Sequence, residues 1–498
     1  MENNVMAVRP NLRFLNKELI ERIISEARDI LSTIGIKIYD KKTVLMLSDF
    51  GATVEPVPHS DAHNVFITGA MIDLALDSVP PTFKLYDVKG NETHDFSGYT
   101  IHFTPASSAL HILDSTTQQS RQPNTADYIR FVKVTAQLKH IAAQSTAFVP
   151  ADVSEKISDS YRLYLNLLFG EKPVVTGTFS AEGFKVMKEM QVAVRGNETA
   201  LKAKPLTIFS CCSTTPLKWS ARICQDIVDC GRSGIPIELI SMPLAGFTAP
   251  VTLVGSLVGH TAETLSGIVI SQLSNPGTPL LYGGAPASFD VRYETTPLGA
   301  IETQMLDCGY NEIGKYLGIP TQAYIALSDA KLLDAQAGLE TAMGATMAAL
   351  SGINSISGPG MLDFVNTFSI EKLIVDNEIC GMVFRMLNGI DPQEDFPIVP
   401  RYQELLKDQH LLISKHTRRF LKAEHYFPGP IIDRTNQSRW QEEGSLTLGE
   451  RAHKEMLNLL ESYQPSSLNP AIKEQLIQIM KAEAHRHGIS TLPDVTGY

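Results

Sequence analysis

The central part of the chain alternates between two hydrophobic periods. Short runs of apolar, often β-branched residues are separated by longer stretches in which apolar residues return every three or four positions. The runs predict strands at 99–106, 141–148, 174–179, 206–212, 237–242, 279–284, 321–326 and 353–357. The longer stretches predict helices at 125–138, 154–168, 181–194, 216–233, 253–273, 298–317, 334–350 and 370–387. Each strand is therefore followed by a helix, as in α/β proteins.

Repeated strand-helix units restrict the topology. Consecutive strands that are joined by a helix run parallel, because the crossover is right-handed and returns to the same edge of the sheet. Eight such units close readily into a barrel, so the sequence predicts a (β/α)8 TIM barrel. An open doubly wound sheet is the structural alternative, but it more often has a glycine-rich phosphate turn after its first strand, and none follows residues 99–106.

The segments on either side of this repeat differ from it. Residues 14–34 have a helical pattern, and the chain then continues in shorter pieces, which predicts an N-terminal α/β preface over 1–98. The barrel is expected over 99–390. After residue 390, charged helical stretches are broken by Pro397, Pro400 and Pro428, which predicts a C-terminal helical extension over 391–498. We expect this extension to pack on the barrel or on a second subunit of a homo-oligomer.

Composition and charge exclude several classes of function. The 498 residues are 43% hydrophobic and carry a net charge of −11 without a long basic run, so a nucleic-acid partner is not expected. The N-terminus lacks the apolar core of a signal peptide, and glycine, serine or threonine interrupts the apolar stretches before the roughly 18 residues that a membrane span needs. We therefore expect a cytoplasmic protein without a membrane segment. Cysteines without a CxxC pair and histidines without an HExxH motif give no metal site to predict.

The residues at the predicted carboxyl ends of the strands carry little charge. In a barrel these ends and the loops that follow them hold the functional groups. Aromatic and small residues dominate there, and ring faces bind a cation that has no N–H group, such as a quaternary ammonium, at about 1–2 kcal/mol each when desolvated. The candidate substrate-binding residues are Phe103, Phe148, Phe179, Tyr324 and Leu327. For each phenylalanine, a place in the core is an equally good interpretation.

The densest group of polar residues near a strand end is the segment 328–340, SDAKLLDAQAGLE. Asp329 and Gln336 are the candidate catalytic residues, although capping of the following helix also explains Asp329. Arg292, in the loop after the sixth strand, is a candidate for binding a substrate carboxylate, as is Gln336. For Arg292 a solvated ion pair is the simpler interpretation.

Other functions stay open at this point. The chain has no Ser-His-Asp order, P-loop or Rossmann fingerprint, so an activated protein nucleophile is unsupported. A barrel lyase or aldolase needs a Schiff-base lysine or carboxylates that hold a metal, and Lys331 is the lysine nearest to a strand end. A binding module without enzymatic activity is the remaining alternative.

Several longer motifs carry a family resemblance. They are LLYGGAPASFDVRYET at 280–295, LGIPTQAYIALSDAKLLDAQAG at 317–338 and EKLIVDNEICGMVFRML at 371–387. With these motifs the chain resembles the trimethylamine methyltransferase family along nearly its whole length, and more closely the branch without pyrrolysine, which includes glycine betaine:corrinoid protein methyltransferases. Where trimethylamine enzymes have pyrrolysine near the SDAK segment, this chain has ordinary residues such as Ala326 and Leu327.

The resemblance implies a reaction and a partner. A small quaternary amine, with glycine betaine as the first candidate, would give a methyl group to Co(I) of a separate corrinoid protein, so the cobalamin belongs to the partner and none is bound permanently by this chain. The cofactor then supplies the nucleophile, and the protein supplies orientation and charge. A quaternary amine fits the lack of pyrrolysine because it leaves as a neutral tertiary amine. Carnitine, proline betaine, γ-butyrobetaine and choline stay open as donors in this part of methylamine and one-carbon metabolism, which includes methanogenesis.

Overall fold

The computed structural model describes residues 8–180 and 182–495. Residues 1–7 of the predicted preface, Ala181 at the start of the third predicted helix, and residues 496–498 of the predicted extension lie outside this range. The N-terminal elements are α1 (Lys17–Thr33), β1 (Ile36–Ile38), α2 (Lys41–Asp49), β2 (Thr53–Pro56), β3 (His63–Phe66), α3 (Gly69–Ser78), β4 (Lys84–Tyr86) and β5 (Glu92–Asp95). Helices and short strands alternate here, as the sequence predicts for an α/β preface.

The central region repeats strand and helix. Its elements are β6 (His102–Thr104), β7 (His111–Asp114), β8 (Gln119–Arg121), α4 (Thr125–Gln137), β9 (Gln144–Ser145), a 3-10 turn (Glu155–Ile157), α5 (Ser158–Phe169), β10 (Val174–Thr176), α6 (Gly183–Arg195), α7 (Glu198–Ala203), β11 (Thr207–Cys212), β12 (Lys218–Trp219), α8 (Ala221–Ser233), β13 (Ile237–Ser241), β14 (Leu244–Ala245), α9 (Leu253–Ser274), β15 (Leu280–Gly284), β16 (Ala287–Ser288), α10 (Ile301–Tyr316), β17 (Gln322–Ala323), α11 (Ala335–Ser351), β18 (Ser355–Ser357), β19 (Met361–Leu362), β20 (Thr367–Phe368) and α12 (Ile370–Leu387). Every predicted strand contains one of these strands, and every predicted helix overlaps one of these helices.

The strands of the repeat pair in parallel. In the described part of the chain, β9, β10, β11, β13 and β15 form one parallel sheet, and β17, β18 and β6 form another. Isolated parallel bridges join Phe103 to Ile141, just before β9, and Tyr282 to Thr321, just before β17. The observed architecture is therefore α/β, with parallel pairing between strands that follow one another along the chain.

Local sequence explains where the helices begin and end. Asn124 and Asp127 form a reciprocal capping box at the start of α4, in which each side chain accepts a hydrogen bond from the other residue's backbone N–H. Gly234 and Gly352 end α8 and α11 with φ of +68° and +75°. This left-handed conformation is one that glycine adopts at little cost, so both helices stop at these positions.

Helix α9 is the longest helix among the described residues, and most of it is buried. Its 22 residues have the length and mean hydropathy of a membrane span, although Gly255, Ser256, Gly259 and Thr261 interrupt its apolar sequence as expected. However, 72% of its most apolar window is buried inside the protein. It packs against α1 and α3 of the preface and against α8 and α10 of the repeat. Its apolar surface is thus covered by the protein's own helices.

The C-terminal region is helical. Its elements are α13 (Val399–Asp408), α14 (Lys415–Glu424), α15 (Gln437–Glu442), α16 (Leu448–Ser462) and α17 (Pro470–Arg486). α16 packs on α4 and α12, and α17 packs on α5 and α6, so both helices cover the outside of the central repeat. By contrast, α13 and α14 bury none of their described residues and leave Tyr402 and Leu406 exposed.

Candidate functional site

A cavity of about 490 Å³ lies where the parallel strands end. Its apolar lining includes the rings of Phe179, Tyr324 and Phe364, with Met242 and Cys212. Its polar lining includes Ser107, Ser108, Thr146, Thr178, Ser210 and Arg222. Because these residues come from the ends of several strands and from the loops after them, the cavity lies where parallel α/β proteins hold their ligands.

Alternation along the strands determines which side chains reach this cavity. Ser210 and Cys212 of β11 both line it, as does Ile240 of β13. Successive side chains of a strand point to opposite faces, so residues two apart share a face. Glu238, two residues before Ile240, therefore points to the same face one layer deeper.

Glu238 is a fully buried carboxylate below the cavity. The hydroxyl of Ser210 donates a hydrogen bond to its Oε1 atom at 2.6 Å. Its Oε2 atom has no hydrogen-bond partner among the described residues. Burial raises the pKa of Glu238 to about 7. A buried carboxylate with one unpaired oxygen gains free energy when a cation approaches it.

The sequence analysis missed Glu238 although a signal for it was present. In the segment 235–243, IPIELISMP, one glutamate interrupts a strand that is otherwise apolar. Lone charges are rarely buried unless they are paired or have a function. A glutamate in the middle of a predicted buried strand was therefore a better candidate than the charges on helix surfaces.

Two of the predicted substrate-binding residues line the cavity. The hydroxyl oxygen of Tyr324 lies 3.4 Å from the Oγ atom of Ser107, and burial, followed by the charge of Glu238, raises the pKa of Tyr324. The phenol thus stays neutral and offers its ring face. Phe179 lies at the rim with 48% of its surface exposed. Both rings are accessible to a ligand in the cavity.

Three other predicted binding residues do not line the cavity within the described residues. Phe103 packs edge-on against Phe384 of α12, with 5.6 Å between the ring centroids. Phe148 packs against Tyr128 of α4 at 5.1 Å. Leu327 is buried in the main core. The sequence could not separate these residues from those that line the cavity, because strands buried on both faces do not show in their sequence which face points inward.

Asp329 has a positioning contact rather than an open carboxylate. It accepts hydrogen bonds from the backbone N–H groups of Leu298 at 3.1 Å and Gly299 at 2.7 Å. Leu298 lines the cavity, so Asp329 holds the loop that forms one of its walls. Burial raises the pKa of Asp329 to about 6.

Gln336 and Arg292 lie outside the lining that the described residues form. Gln336 is exposed and donates from Nε2 to Glu340 at 2.9 Å. Arg292 is 75% exposed at its side chain and forms an ion pair with Asp290 at 2.6 Å. This geometry places Arg292 in a solvated ion pair, and it brings neither residue to the cavity lining.

Lys331 has the environment of a surface lysine. Its side chain is 60% exposed, its Nζ atom lies 3.4 Å from Asp363, and it donates to the backbone oxygen of Asp329. It also lies over the ring of Phe364, at 3.9 Å from the centroid. An amine that forms a Schiff base is usually desolvated. This geometry gives no support to the lyase or aldolase alternative.

Two arginines that the sequence analysis did not select are found at the cavity. Arg222, near the start of α8, lines it and donates from Nη1 to the Oγ1 atom of Thr178 at 2.9 Å. Arg162 of α5 donates from Nη1 to Ser108 and to the backbone oxygen of Thr146, each at 2.9 Å. Both arginines belong to helices that the sequence pattern predicts only as amphipathic, so no local signal distinguishes them from surface charges.

Backbone strain is concentrated in one wall of the cavity. Asp363, Phe364 and Val365, between β19 and β20, have φ of +50°, +56° and +65° in succession. This left-handed region is costly for residues other than glycine. Phe364 and Val365 both line the cavity. Strained backbone is often found where a functional site requires a particular side-chain position.

Comparisons with known proteins extend over almost the whole chain. The family model described as trimethylamine methyltransferase (MTTB) matches residues 2–486. Trimethylamine methyltransferase MttB of Desulfitobacterium hafniense is 26% identical over 477 residues, which are 96% of this chain and 95% of that protein. A protein named glycine betaine methyltransferase, from another strain of the same species, is 28% identical over 469 residues, which are 94% of this chain and 96% of that protein.

A solved structure is also similar. The Methanosarcina barkeri monomethylamine methyltransferase (MtmB) aligns with a TM-score of 0.50 and 12% identity, and the alignment covers 96% of this chain and 90% of that chain. At this level of identity the similarity concerns the fold alone.

Proposed function

Because the chain belongs to the trimethylamine methyltransferase family, we propose that it transfers a methyl group from a small quaternary amine, glycine betaine first, to a separate corrinoid protein. One observation carries the choice of a permanent cation as substrate. Aromatic rings and a thioether surround a cavity, and directly below it lies a buried glutamate with an unpaired oxygen. The similarity to a protein named glycine betaine methyltransferase supports the same choice.

The framework that we propose for this site is a closed (β/α)8 barrel over 99–390, preceded by the preface 1–98 and followed by the helical extension 391–498. The bridges Phe103–Ile141 and Tyr282–Thr321 support closure, since they link the two parallel sheets at both of their junctions. In such a barrel the inward-facing residues of neighbouring strands meet in layers. Glu238 then belongs to the layer below Ser210 and Cys212.

The protein's own groups account for binding of the cation. Ring faces such as those of Tyr324 and Phe179 attract a quaternary ammonium by about 1–2 kcal/mol each in a desolvated site. The charge of Glu238 adds a longer-range attraction that water screens little at this depth. A quaternary amine departs as a neutral tertiary amine, so the site does not need a proton donor. The chain's contribution is to hold the N-methyl carbon in position and to exclude water.

The acceptor is proposed to reside on a partner protein. A reduced corrinoid supplies the nucleophile for methyl transfer, so this chain needs only an open mouth and a surface for docking. The exposed side chains of Phe179, Met242 and Phe247 near that mouth are 48%, 40% and 67% accessible, which supports such a surface. The exposed apolar residues of α13 and α14 support association into a homo-oligomer. A cytoplasmic location fits a core helix α9 that is covered by protein.

A donor panel tests the proposal. The purified protein is mixed with a Co(I) corrinoid protein and, separately, with glycine betaine, carnitine, proline betaine, γ-butyrobetaine, choline, tetramethylammonium or trimethylamine. We expect the absorbance of the methylated corrinoid with at least one quaternary amine, and dimethylglycine in equal amount when glycine betaine is the donor. If no quaternary amine methylates the corrinoid, the proposal is wrong. Borohydride reduction with aldehydes should leave Lys331 unmodified, and an adduct there would favour the lyase alternative.

A further inference from the structure

We propose that Arg162 and Arg222 form an anion-binding end of the cavity that holds the carboxylate of the methyl donor. The donor is then a zwitterionic betaine rather than a simple cation such as choline or tetramethylammonium. This inference rests on the proposed function and makes it more specific. Arg162 is the main group, and Arg222 assists it from the other side of Thr178 and Phe179.

Arg162 is a buried charge whose hydrogen-bonding capacity is only partly used. Its side chain is 0% exposed, and its Nη2 atom has no hydrogen-bond partner among the described residues. Among those residues, no ion pair within 4.0 Å is formed by its guanidinium nitrogens, and the carboxylate that acts on it electrostatically is Asp159. Guanidinium groups stay charged in proteins. Asp159 of the same helix offsets part of the cost of burying this charge, but from beyond ion-pair distance. A buried charge without a counter-ion at ion-pair distance costs several kcal/mol, and an anionic ligand would offset more of that cost.

The contacts of Arg162 place it directly behind the cavity wall. Its Nη1 atom donates to Ser108 and to the backbone oxygen of Thr146, and both residues line the cavity. The ring of Phe179, which also lines the cavity, covers its guanidinium at 4.5 Å. A purely structural role would account for the hydrogen bonds of Nη1 and for that of Nε, which donates to the backbone oxygen of Ser158. It would not explain why Nη2 is buried without a hydrogen-bond partner.

Arg222 lies on the same wall. It lines the cavity, and its Nη1 atom bonds both to Thr178 and to Asp226, which lies 3.2 Å away. Phe179 follows Thr178 in the chain, so the two guanidinium groups flank this two-residue segment. Asp226 lies at ion-pair distance from Arg222 and offsets much of its charge, whereas Asp159 acts on Arg162 only from beyond 4.0 Å, which makes Arg162 the stronger anion site.

The two charged groups of the site belong to different walls. Glu238 bonds to Ser210 of β11, whereas Arg162 bonds to Ser108 and Thr146. A molecule with a trimethylammonium group near Glu238 and a carboxylate near Arg162 satisfies both. Arginine can bind a carboxylate through two parallel hydrogen bonds, which adds geometric selectivity to the charge attraction.

Binding without the corrinoid partner tests this inference. Isothermal titration of the whole chain compares glycine betaine with glycine betaine amide, in which a neutral amide replaces the carboxylate, and with choline. We expect the wild-type protein to bind glycine betaine at least about tenfold more tightly than either analogue, since a lost charge-assisted hydrogen bond is worth one to two powers of ten. Equal affinities for glycine betaine and its amide would overturn the inference.

The variants Arg162→Gln and Arg222→Gln assign the effect to residues. We expect each to weaken glycine betaine binding by about tenfold or more and to change choline binding by less than about twofold. Arg292→Gln is the matched control, because that arginine is exposed and paired outside the cavity, and it should change neither affinity. Equal losses for both ligands would mean that the arginines are structural and would overturn the inference. If Arg162→Gln does not fold, Arg222→Gln and the wild-type ligand comparison decide.

Failure of this inference can be told apart from failure of the proposed function. Methyl transfer from choline or tetramethylammonium at least as efficient as from betaines would reject the carboxylate site and retain the methyltransferase. No transfer from any quaternary amine would reject the proposed function, whatever the binding data show.

Discussion

The residues that face the cavity differ in chemistry from the rings that pack outward against helices. The inner group includes Glu238, Ser210 and Tyr324, whose polar atoms lie at or below the cavity. The outer group includes Phe103 of β6, which packs against α12, and Phe148, which follows β9 and packs against α4. An aromatic residue at a strand end therefore stabilises the fold when it packs outward, and its ring is available to a ligand when it faces the cavity.

Removing an outer ring should destabilise the protein and leave its ligand affinity intact. Phe148→Ala leaves a cavity among Tyr128, Phe131 and Phe368, and we expect a loss of about 3–5 kcal/mol in the free energy of unfolding. Urea denaturation measures this loss, and titration of the folded fraction measures the affinity. If the variant has normal stability but binds the ligand more weakly, Phe148 faces the cavity, which contradicts its assignment to the packed outer rings.

Removing the inner carboxylate should have the opposite effect. Glu238→Gln keeps the shape and removes the charge, so we expect the affinity for a quaternary ammonium and the kcat/KM of methyl transfer to fall by about a hundredfold. The free energy of unfolding at pH 8 should stay equal or rise, because burial of the ionised carboxylate is unfavourable. Glu302→Gln, a change at an exposed helix position, is the control and should be neutral. A stability loss without a change in affinity would make Glu238 structural.

The pKa of Glu238 predicts a dependence of binding on pH. With a pKa of about 7, the carboxylate is mostly protonated at pH 6 and mostly ionised at pH 8, so cation affinity should rise about tenfold over this interval. Titrations at both pH values, repeated with Glu238→Gln, measure it. The affinity of the variant should not depend on pH over this interval. If the variant keeps the pH dependence of the wild-type protein, a group other than Glu238 causes it.

The same shift has a consequence for stability. Burial raises the folded pKa of Glu238 from 4.5 to about 7, so between these values the folded protein binds more protons than the unfolded chain. The contribution of this residue to the free energy of unfolding therefore falls as pH rises through that window and is lost above it. Comparing the wild-type protein with Glu238→Gln by urea denaturation at pH 5 and pH 8 isolates this contribution.

The smallest effect is expected at the rim. Phe179→Ala should weaken binding of a quaternary ammonium by only a few fold, about 0.5–1 kcal/mol, because the ring is half exposed to water and one of its faces already covers the guanidinium of Arg162. Binding of the neutral tert-butyl analogue should change less, and the free energy of unfolding should stay within about 0.5 kcal/mol of the wild-type value. If the affinities for the charged and the neutral ligand fall equally, the ring contributes apolar contact and no cation-π attraction.

The order of strands and helices was predictable from sequence, whereas the orientation of the strands' side chains was not. The two hydrophobic periods located eight strands and eight helices of the central region, because long amphipathic helices give a strong signal, but they missed α7 and short strands such as β7 and β8. Strands covered on both faces are apolar throughout, so Phe103 and Phe148 could not be separated from Phe179. Arg162 and Glu238 contact residues that are distant in the sequence, and a pattern of neighbouring residues cannot predict such contacts. A rule that ranks lone charges within apolar strands would have found Glu238.

A crystal structure of the protein with glycine betaine at saturating concentration would show directly how the methyl donor is bound. We expect the ligand in the cavity, with its trimethylammonium group against Tyr324 on the side of Glu238 and its carboxylate bonded to Arg162 or Arg222. A ligand bound with the opposite polarity, or bound elsewhere while this cavity stays empty, would contradict it.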